Sequence, residues 1–139
     1  IIIGAGPEVE HIKKIESEYN NIHYLGPKNH LQTISLIKGS DVLIQPSFSE
    51  GISTTILESM VCKTPIIASS VGGNLELIKD QESGFLIEPA NHKKFCEKII
   101  ELVSDKSLQN KFCTLAYENV QKYDWQHIGE KYMELYNSL

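Results

Sequence analysis

Short apolar runs alternate with longer segments of helical periodicity along the first two-thirds of the chain. The runs are bounded by glycine, proline or polar residues and predict buried parallel strands. The intervening segments repeat apolar residues every three or four positions, which predicts amphipathic helices. The predicted strands span residues 1–4, 21–26, 42–45, 65–68 and 84–87, and the helices between them span 7–19, 31–37, 53–62 and 75–78.

The alternation of strands and helices predicts the fold class. Parallel neighbours need crossover connections, and these are right-handed and place helices on both faces of the sheet. We therefore predict an α/β fold with a doubly wound parallel sheet, Rossmann-like, followed by C-terminal helices. Those helices are predicted over residues 93–104, 108–123 and 125–139.

The last segment, residues 124–139, displays large apolar side chains broadly around its predicted helix. Trp125, Tyr132 and Tyr136 are the largest of them. Two interpretations stay open. The helix packs on its own domain, or part of it covers a neighbouring domain that lies outside these 139 residues.

Composition excludes several classes of function. The net charge is −5 and no Lys/Arg cluster is present, which argues against a nucleic-acid partner. No apolar run approaches the ~20 residues of a membrane span. The three cysteines lack metal-ligand spacing and indicate reduced thiols in the cytoplasm. The five histidines form no zinc-site pair, so no metal is expected.

Residues 47–60 are the stretch around which the other elements are arranged. They follow the apolar run 41–46, turn at Gly51 and continue as a helix whose N-cap is Ser53 or Thr54. A strand, a short polar loop and a helix N-terminus form the arrangement that binds anions in open α/β sheets. This stretch is therefore the candidate binding site.

Two acids flank the start of this helix. Glu50 lies just before it, and Glu58 falls near the middle of its polar side, opposite the apolar positions. Both carboxylates could border one cleft at the end of the strand. The alternative is that Glu58 is a solvated charge and Glu50 an acid favoured by the helix dipole. The positions expected to face the core are Ile52, Ile56, Leu57 and Met60.

The spacing of Glu50 and Glu58 is E-x7-E, and a series of further motifs surrounds it in order. They are Asp41-Val42, Pro46-Ser47, Glu50-Gly51, Leu57-Glu58-Ser59-Met60, Pro65-Ile66-Ile67-Ala68, Gly72-Gly73, Glu76 and Gly84-Phe85-Leu86-Ile87-Glu88-Pro89. The whole series closely resembles the C-terminal, donor-binding domain of the retaining E-x7-E glycosyltransferases with the GT-B architecture, glycosyl transferases group 1. The likeness runs from Ile1 almost to the end of the chain.

The resemblance implies that a nucleotide-diphosphate sugar binds at the C-terminal edge of the sheet. It implies that Glu58 binds the ribose hydroxyls, for which two carboxylate oxygens are suited. It places Glu50 beside the donor sugar as the catalytic residue. There Glu50 either contacts sugar hydroxyls or stabilises an oxocarbenium-like centre.

Further donor contacts follow from the same resemblance. Main-chain groups of Gly51, Ile52, Ser53 and Thr54 would approach the sugar and the diphosphate, where amides stabilise a leaving group that gains negative charge. The end of the second strand, Tyr24–Leu25, would lie along the base, mainly through backbone contacts. The alternative for Tyr24 is a plain strand aromatic.

The resemblance also implies partners outside the chain. We expect residues 1–139 to form a single nucleotide-sugar-binding domain, a fragment of a two-domain enzyme in polysaccharide biosynthesis. The N-terminal domain of that enzyme would hold the acceptor, which is a glycan, a lipid or a small molecule. An Arg and a Lys that neutralise the diphosphate would precede Ile1, so the fragment alone is expected to be inactive. Any contact with the inner membrane face would involve the absent domain. The alternative is a non-catalytic nucleotide-binding or assembly module.

Two features near the motif leave questions for the structure. Lys63 occupies a position where glycine normally takes a left-handed conformation at the end of the helix, which puts that helix ending in doubt. Gly72-Gly73 either lets the backbone approach the donor sugar or forms a tight strand-to-helix turn.

Overall fold

The computed structural model describes residues 1–138. The helices in this part of the chain are α1 Val9–Glu18, α2 His30–Lys38, α3 Thr54–Cys62, α4 Asn74–Leu77, α5 His92–Ser104, α6 Lys106–Val120 and α7 Trp125–Asn137, with a 3-10 turn at Gln121–Tyr123. The strands are β1 Leu43–Gln45, β2 Ile66–Ser69 and β3 Phe85–Ile87. The predicted order of elements from residue 31 onward is confirmed. The described residues form two compact units, Ile1–Leu36 and a second that begins at Ile37.

In the first unit, the prediction of two regular strands at residues 1–4 and 21–26 is wrong. Their pairing is limited to a parallel bridge between Ile2 and Tyr24. Hydrogen bonds from Ile2 N to His23 O (2.8 Å) and from Leu25 N to Ile2 O (2.9 Å) hold it. Gly4 has φ 128°, and its amide donates to Gly26 O at 3.1 Å rather than to Leu25 O, so a regular ladder does not continue past the bridge.

The second unit contains a parallel sheet in the order β1-β2-β3. Leu43 pairs with Ile66, and Ile67 pairs with Phe85. All four residues of β2 are buried because this strand lies between the other two and has helices against both faces. The predicted α/β, Rossmann-like class with a parallel sheet is confirmed.

Alternate residues of β2 contribute to two separate cores, with Ile66 and Ala68 in the first and Ile67 in the second, which is why these three positions are apolar. Phe85 and Phe112 meet edge to face in the second core, with ring centres 5.0 Å apart. The first core contains Ile56, Met60, Ile66, Ala68, Leu77, Ile78, Ala116 and Val120. The second contains Ile67, Phe85, Ile87, Phe95, Leu102 and Phe112.

Helix α3 begins as predicted, with Ser53 as its N-cap. The Ser53 hydroxyl oxygen accepts from Ile56 N at 3.4 Å. Ile56 and Met60 are fully buried, as expected. The placement of Ile52 on the core side is wrong: Ile52 precedes the cap, and it is 48% exposed because the helical periodicity does not extend to it.

The C-terminal end of α3 has the geometry of a Schellman motif. Lys63 is left-handed, with φ 56° and ψ 39°. Its amide donates to Met60 O, and Thr64 N donates to Ser59 O at 3.0 Å. The Ser59 hydroxyl adds a bond to Thr64 O at 3.0 Å. The helix therefore ends where glycine would have been expected, although the residue is lysine.

Helix α7 has no buried residue in the described chain, and its large apolar side chains are exposed. Trp125 is 87% exposed, and Tyr132 and Tyr136 are also open. Within residues 1–138, no helix combines the length and the apolar character that crossing a membrane requires.

Candidate functional site

The predicted site lies in the second unit, where the loop 46–53 joins the end of β1 to the start of α3. Both ends of this loop are fixed by secondary structure, since Gln45 ends β1 and Ser53 caps α3. Glu50 is half-buried in this loop, and Gly51 and Ile52 are exposed. Main-chain and side-chain groups of the loop therefore lie at the carboxyl end of a parallel strand, where open α/β sheets bind their ligands.

The Glu50 carboxylate is held on one oxygen by two donors. Its Oε1 accepts from Gln45 Nε2 at 2.6 Å and from Ser47 Oγ at 2.6 Å. Gln45 Nε2 also donates to Ser53 Oγ at 2.9 Å. The acid predicted beside the donor sugar is thus fixed by a polar network that reaches the N-cap of α3.

The main-chain amides after Glu50 remain free for a ligand. Those of Ile52, Ser53 and Thr54 donate to no acceptor in the described part of the chain. The first amides of a helix have no intrahelical partner, and together with the helix dipole they attract anionic groups. Ser53 as a whole is only 5% exposed. Ile52 and Thr54 are exposed, so their amides are more accessible to a ligand than that of Ser53.

Gly72 and Gly73 pack directly against the Glu50 loop. Gly73 N donates to Glu50 O at 3.4 Å. A methyl group on Gly72 would overlap the Glu50 carbonyl oxygen, and one on Gly73 would come within 2.8 Å of Gly51 C. Gly72 also has φ 46°, which favours glycine. The pair therefore forms a tight turn and allows the close approach of the loop backbone.

Several buried polar atoms lie at the carboxyl end of β2, next to this glycine pair. Asn74 is fully buried, and its Nδ2 donates to Ser69 O at 3.0 Å. Asn74 Oδ1, Ser69 Oγ and Ser70 Oγ have no hydrogen-bond partner within residues 1–138. These atoms make the interior behind the loop polar, in contrast to the apolar cores on either side of β2.

Glu58 lies in α3, eight positions after Glu50, and is half-buried. Its charge acts on the neighbouring Cys62. Burial raises the pKa of the Cys62 thiol, Lys38 opposes that shift, and Glu58 adds to it. Such a thiol is a poor nucleophile at neutral pH. The convergence of Glu50 and Glu58 on one cleft stays a prediction.

Tyr24 and Leu25 belong to the first unit. The Tyr24 hydroxyl donates to Gly4 O at 2.7 Å and its amide to Glu16 Oε1 at 2.9 Å. The Leu25 amide donates to Ile2 O. Both amides are thus occupied within this unit, so backbone contacts from Tyr24–Leu25 to a base would have to come from their carbonyl groups.

Sequence reasoning missed Gln45 and Asn74 as residues of this region. A signal existed for Gln45, because it is the one polar residue at the end of the apolar run Val42–Gln45. Asn74 gave no comparable signal, since an asparagine after two glycines is common in turns. Residues 1–138 contain no group of three or more His, Cys, Asp or Glu side chains placed to hold a metal ion.

Comparison with known proteins places the chain in a family. Residues 1–119 match the family described as Glycosyl transferases group 1, and the chain belongs to it. An uncharacterized glycosyltransferase of Methanocaldococcus jannaschii is 29% identical over 99% of the chain. The chain spans 40% of the length of that relative.

Solved structures agree with this family and with the fold. A point mutant of TarM from S. aureus, solved in complex with fondaparinux, α-GlcNAc-glycerol and UDP, superposes with a TM-score of 0.83 and 27% identity. The match covers 98% of this chain and 28% of TarM. The C-terminal domain of a glycosyl transferase group 1 protein from Francisella tularensis has a TM-score of 0.74 and 26% identity, covering 87% of this chain and 67% of that one.

Proposed function

We propose that this chain is the donor-binding domain of a retaining glycosyltransferase that moves a sugar from a nucleotide-diphosphate sugar to an acceptor. The observation that carries the proposal is the fixed Glu50 carboxylate beside the unpaired amides of Ile52, Ser53 and Thr54. Family membership and the UDP bound in the S. aureus structure support a nucleotide sugar as the ligand.

The chemistry of this arrangement suits glycosyl transfer. As the glycosidic bond breaks, positive charge develops at the sugar carbon and negative charge on the departing diphosphate. Unpaired amides at the start of α3 would stabilise the diphosphate, since preorganised donors cost no rearrangement during the reaction. Glu50 would either bind sugar hydroxyls or stabilise the oxocarbenium-like centre. Its fixed carboxylate suits both roles.

The remaining donor contacts complete the proposal. Glu58 would bind the vicinal hydroxyls of the ribose, and Gly51 would approach the sugar through its main chain. Tyr24–Leu25 would contact the base. We propose that no protein-bound metal takes part, because helix-terminal amides and cationic side chains of the intact protein would balance the diphosphate charge.

The acceptor would bind to a second, N-terminal domain of the intact protein. Two comparisons support this division. The chain spans 40% of the length of the M. jannaschii relative, and the matched F. tularensis structure is a C-terminal domain. The second candidate function is a non-catalytic nucleotide-binding module of the same fold. It would bind the same donor and transfer nothing.

The experiment is a transfer assay on the intact protein with a panel of UDP-, GDP- and ADP-sugars, followed by NMR of the product. We expect one donor to be consumed and the anomeric configuration of the sugar to be retained. Glu50→Ala should lower kcat with a smaller change in donor KM. Inversion of the anomeric centre would refute the retaining assignment, and binding without turnover would favour the non-catalytic module.

A further inference from the structure

Gln45 joins two parts of the candidate site that the chain separates. It is the last residue of β1 and is half-buried. Its Nε2 donates to Glu50 Oε1 at 2.6 Å and to Ser53 Oγ at 2.9 Å. One side-chain amide therefore contacts both the predicted catalytic carboxylate and the N-cap of α3.

The orientation of this amide is determined by its neighbours. A carboxylate only accepts, so the nitrogen of Gln45 must face Glu50, and an amide oxygen in that place would be repelled. The amide oxygen of Gln45 then accepts from Ser53 Oγ at 3.1 Å. Since Ser53 Oγ also accepts from Ile56 N, the chain of contacts extends from the acid into the first turn of the helix.

The same contacts fix how Glu50 presents its charge. Gln45 and Ser47 both donate to Oε1, each at 2.6 Å. Oε2 accepts no hydrogen bond from the described residues, so this oxygen is left to meet a ligand. A glutamate side chain loses about 1.5–2 kcal/mol of rotamer entropy on being ordered. In this arrangement the ordering takes place on folding rather than on binding.

We propose that Gln45 is a positioning residue for the transfer reaction. It holds the Glu50 carboxylate with Oε1 turned inward and Oε2 toward the donor sugar. It also fixes the position of this carboxylate relative to the first turn of α3. Gln45 acts through Glu50 and does not itself contact the donor. The inference rests on the proposed function and adds to it a residue that determines the geometry of the acid.

A double-mutant cycle in the intact protein tests this role. Gln45→Met keeps the length of the side chain and removes all three of its hydrogen bonds. We expect it to lower kcat roughly 10- to 100-fold, with donor KM changed less than about 3-fold. In a Glu50→Gln background, the same substitution should cost less than about 3-fold, because the carboxylate that it orients is gone. An equal loss in both backgrounds would overturn the proposal.

Gln109→Met is the matched control. Gln109 is a buried glutamine whose Nε2 donates to Leu102 O at 2.8 Å and to Val103 O at 3.3 Å, far along the chain from the Glu50 loop. Both glutamine variants should lower the thermal midpoint. Only Gln45→Met should lower kcat. A matching loss of kcat in Gln109→Met would mean that the effect comes from general destabilisation, and it would contradict the positioning role of Gln45.

A crystal structure of the Gln45→Met protein tests the inference without any transfer assay. We expect the Glu50 carboxylate to occupy more than one rotamer, or to turn away from Ser47. A carboxylate in its original place would contradict the positioning role. If the wild-type protein transfers no sugar, the proposed function fails, and this crystallographic result still decides whether Gln45 orients Glu50.

Discussion

Lys63 adopts a conformation that is unfavourable for its residue type. Its φ of 56° lies in the left-handed region, where a β-carbon is crowded. The side chain has a compensating contact, since Nζ lies 4.5 Å from the centre of the Tyr117 ring. Lysine at the end of α3 therefore combines backbone strain with a modest side-chain attraction.

The first prediction compares Lys63→Gly with Lys63→Ala. Both variants lose the contact with Tyr117, and only glycine relieves the backbone. We expect the glycine variant to be more stable than the alanine variant by about 1 kcal/mol, measured by urea denaturation. Equal stability of the two would mean that Lys63 is not held left-handed in the folded protein.

The second prediction concerns the Cys113 thiol. Burial raises the pKa of this thiol, and Lys63 opposes the shift. The Cys113 Sγ donates to Lys63 O at 3.0 Å. The protonated Cys113 thiol makes its full contribution to the free energy of unfolding below the unfolded-state pKa of about 8.5. That contribution is lost as the pH rises above this value.

Urea denaturation of the wild type and Cys113→Ala at pH 7.5 and pH 9.5 measures this effect. The difference in unfolding free energy between the two proteins should shrink at the higher pH, because the unfolded wild type then gains a thiolate. A difference that stays constant or widens with pH would contradict the burial effect.

Single residues also show where sequence reasoning succeeds. The cap at Ser53 and the unusual position of Lys63 could be predicted because both depend on local backbone geometry. The exposure of Ile52 could not be predicted, since the hydrophobic period does not extend to this residue, which lies two positions before the start of α3. The role of Gln45 depends on a contact between a strand end and a loop, which no periodicity encodes.

At the scale of elements, the turn 72–73 and the loop 46–53 form a close backbone contact. Gly73 has an ordinary φ of −64°, so replacing it with alanine adds a steric clash without adding conformational strain. The clash would fall on Gly51 and on the Ile52 side chain. The backbone of the candidate site therefore depends on the absence of a side chain in another element.

The third prediction is that Gly73→Ala lowers stability by about 1–3 kcal/mol and also lowers kcat in the intact protein. Gly84→Ala is the control, because its added methyl would lie 2.9 Å from Ile66 O, away from the Glu50 loop. The control should lose stability and keep its kinetics. Unchanged kinetics in Gly73→Ala, measured as initial rates, would show that the loop tolerates displacement.

Element prediction worked best where both faces of an element are covered. Residues 66–68 of strand β2 form a continuous apolar run because their two sides belong to different cores. The strands predicted at residues 1–4 and 21–26 reduce to a bridge, although the first of them is as apolar as β2. Apolar character predicts burial, whereas the length of a ladder depends on backbone pairing that composition does not specify.

At the scale of the whole molecule, charge matters for the donor. The chain has a net charge of −5, and a nucleotide diphosphate is also anionic. Under the proposed function, unpaired helix amides would offset part of this repulsion, and we expect further cationic side chains in the intact protein. The order and spacing of motifs could predict the family, since these are properties of the sequence itself. The acceptor could not be predicted, because under the proposed function it binds to a domain outside these residues.

The most direct test of the account is the affinity of the intact protein for its nucleoside diphosphate, measured by calorimetry. If Glu58 binds the ribose hydroxyls, Glu58→Ala should weaken binding about 10- to 100-fold. Glu118→Ala, at an exposed position of α6, should stay within about 2-fold of the wild type. Equal affinity of the Glu58 variant and the wild type would contradict the claim that the E-x7-E pair forms the donor site.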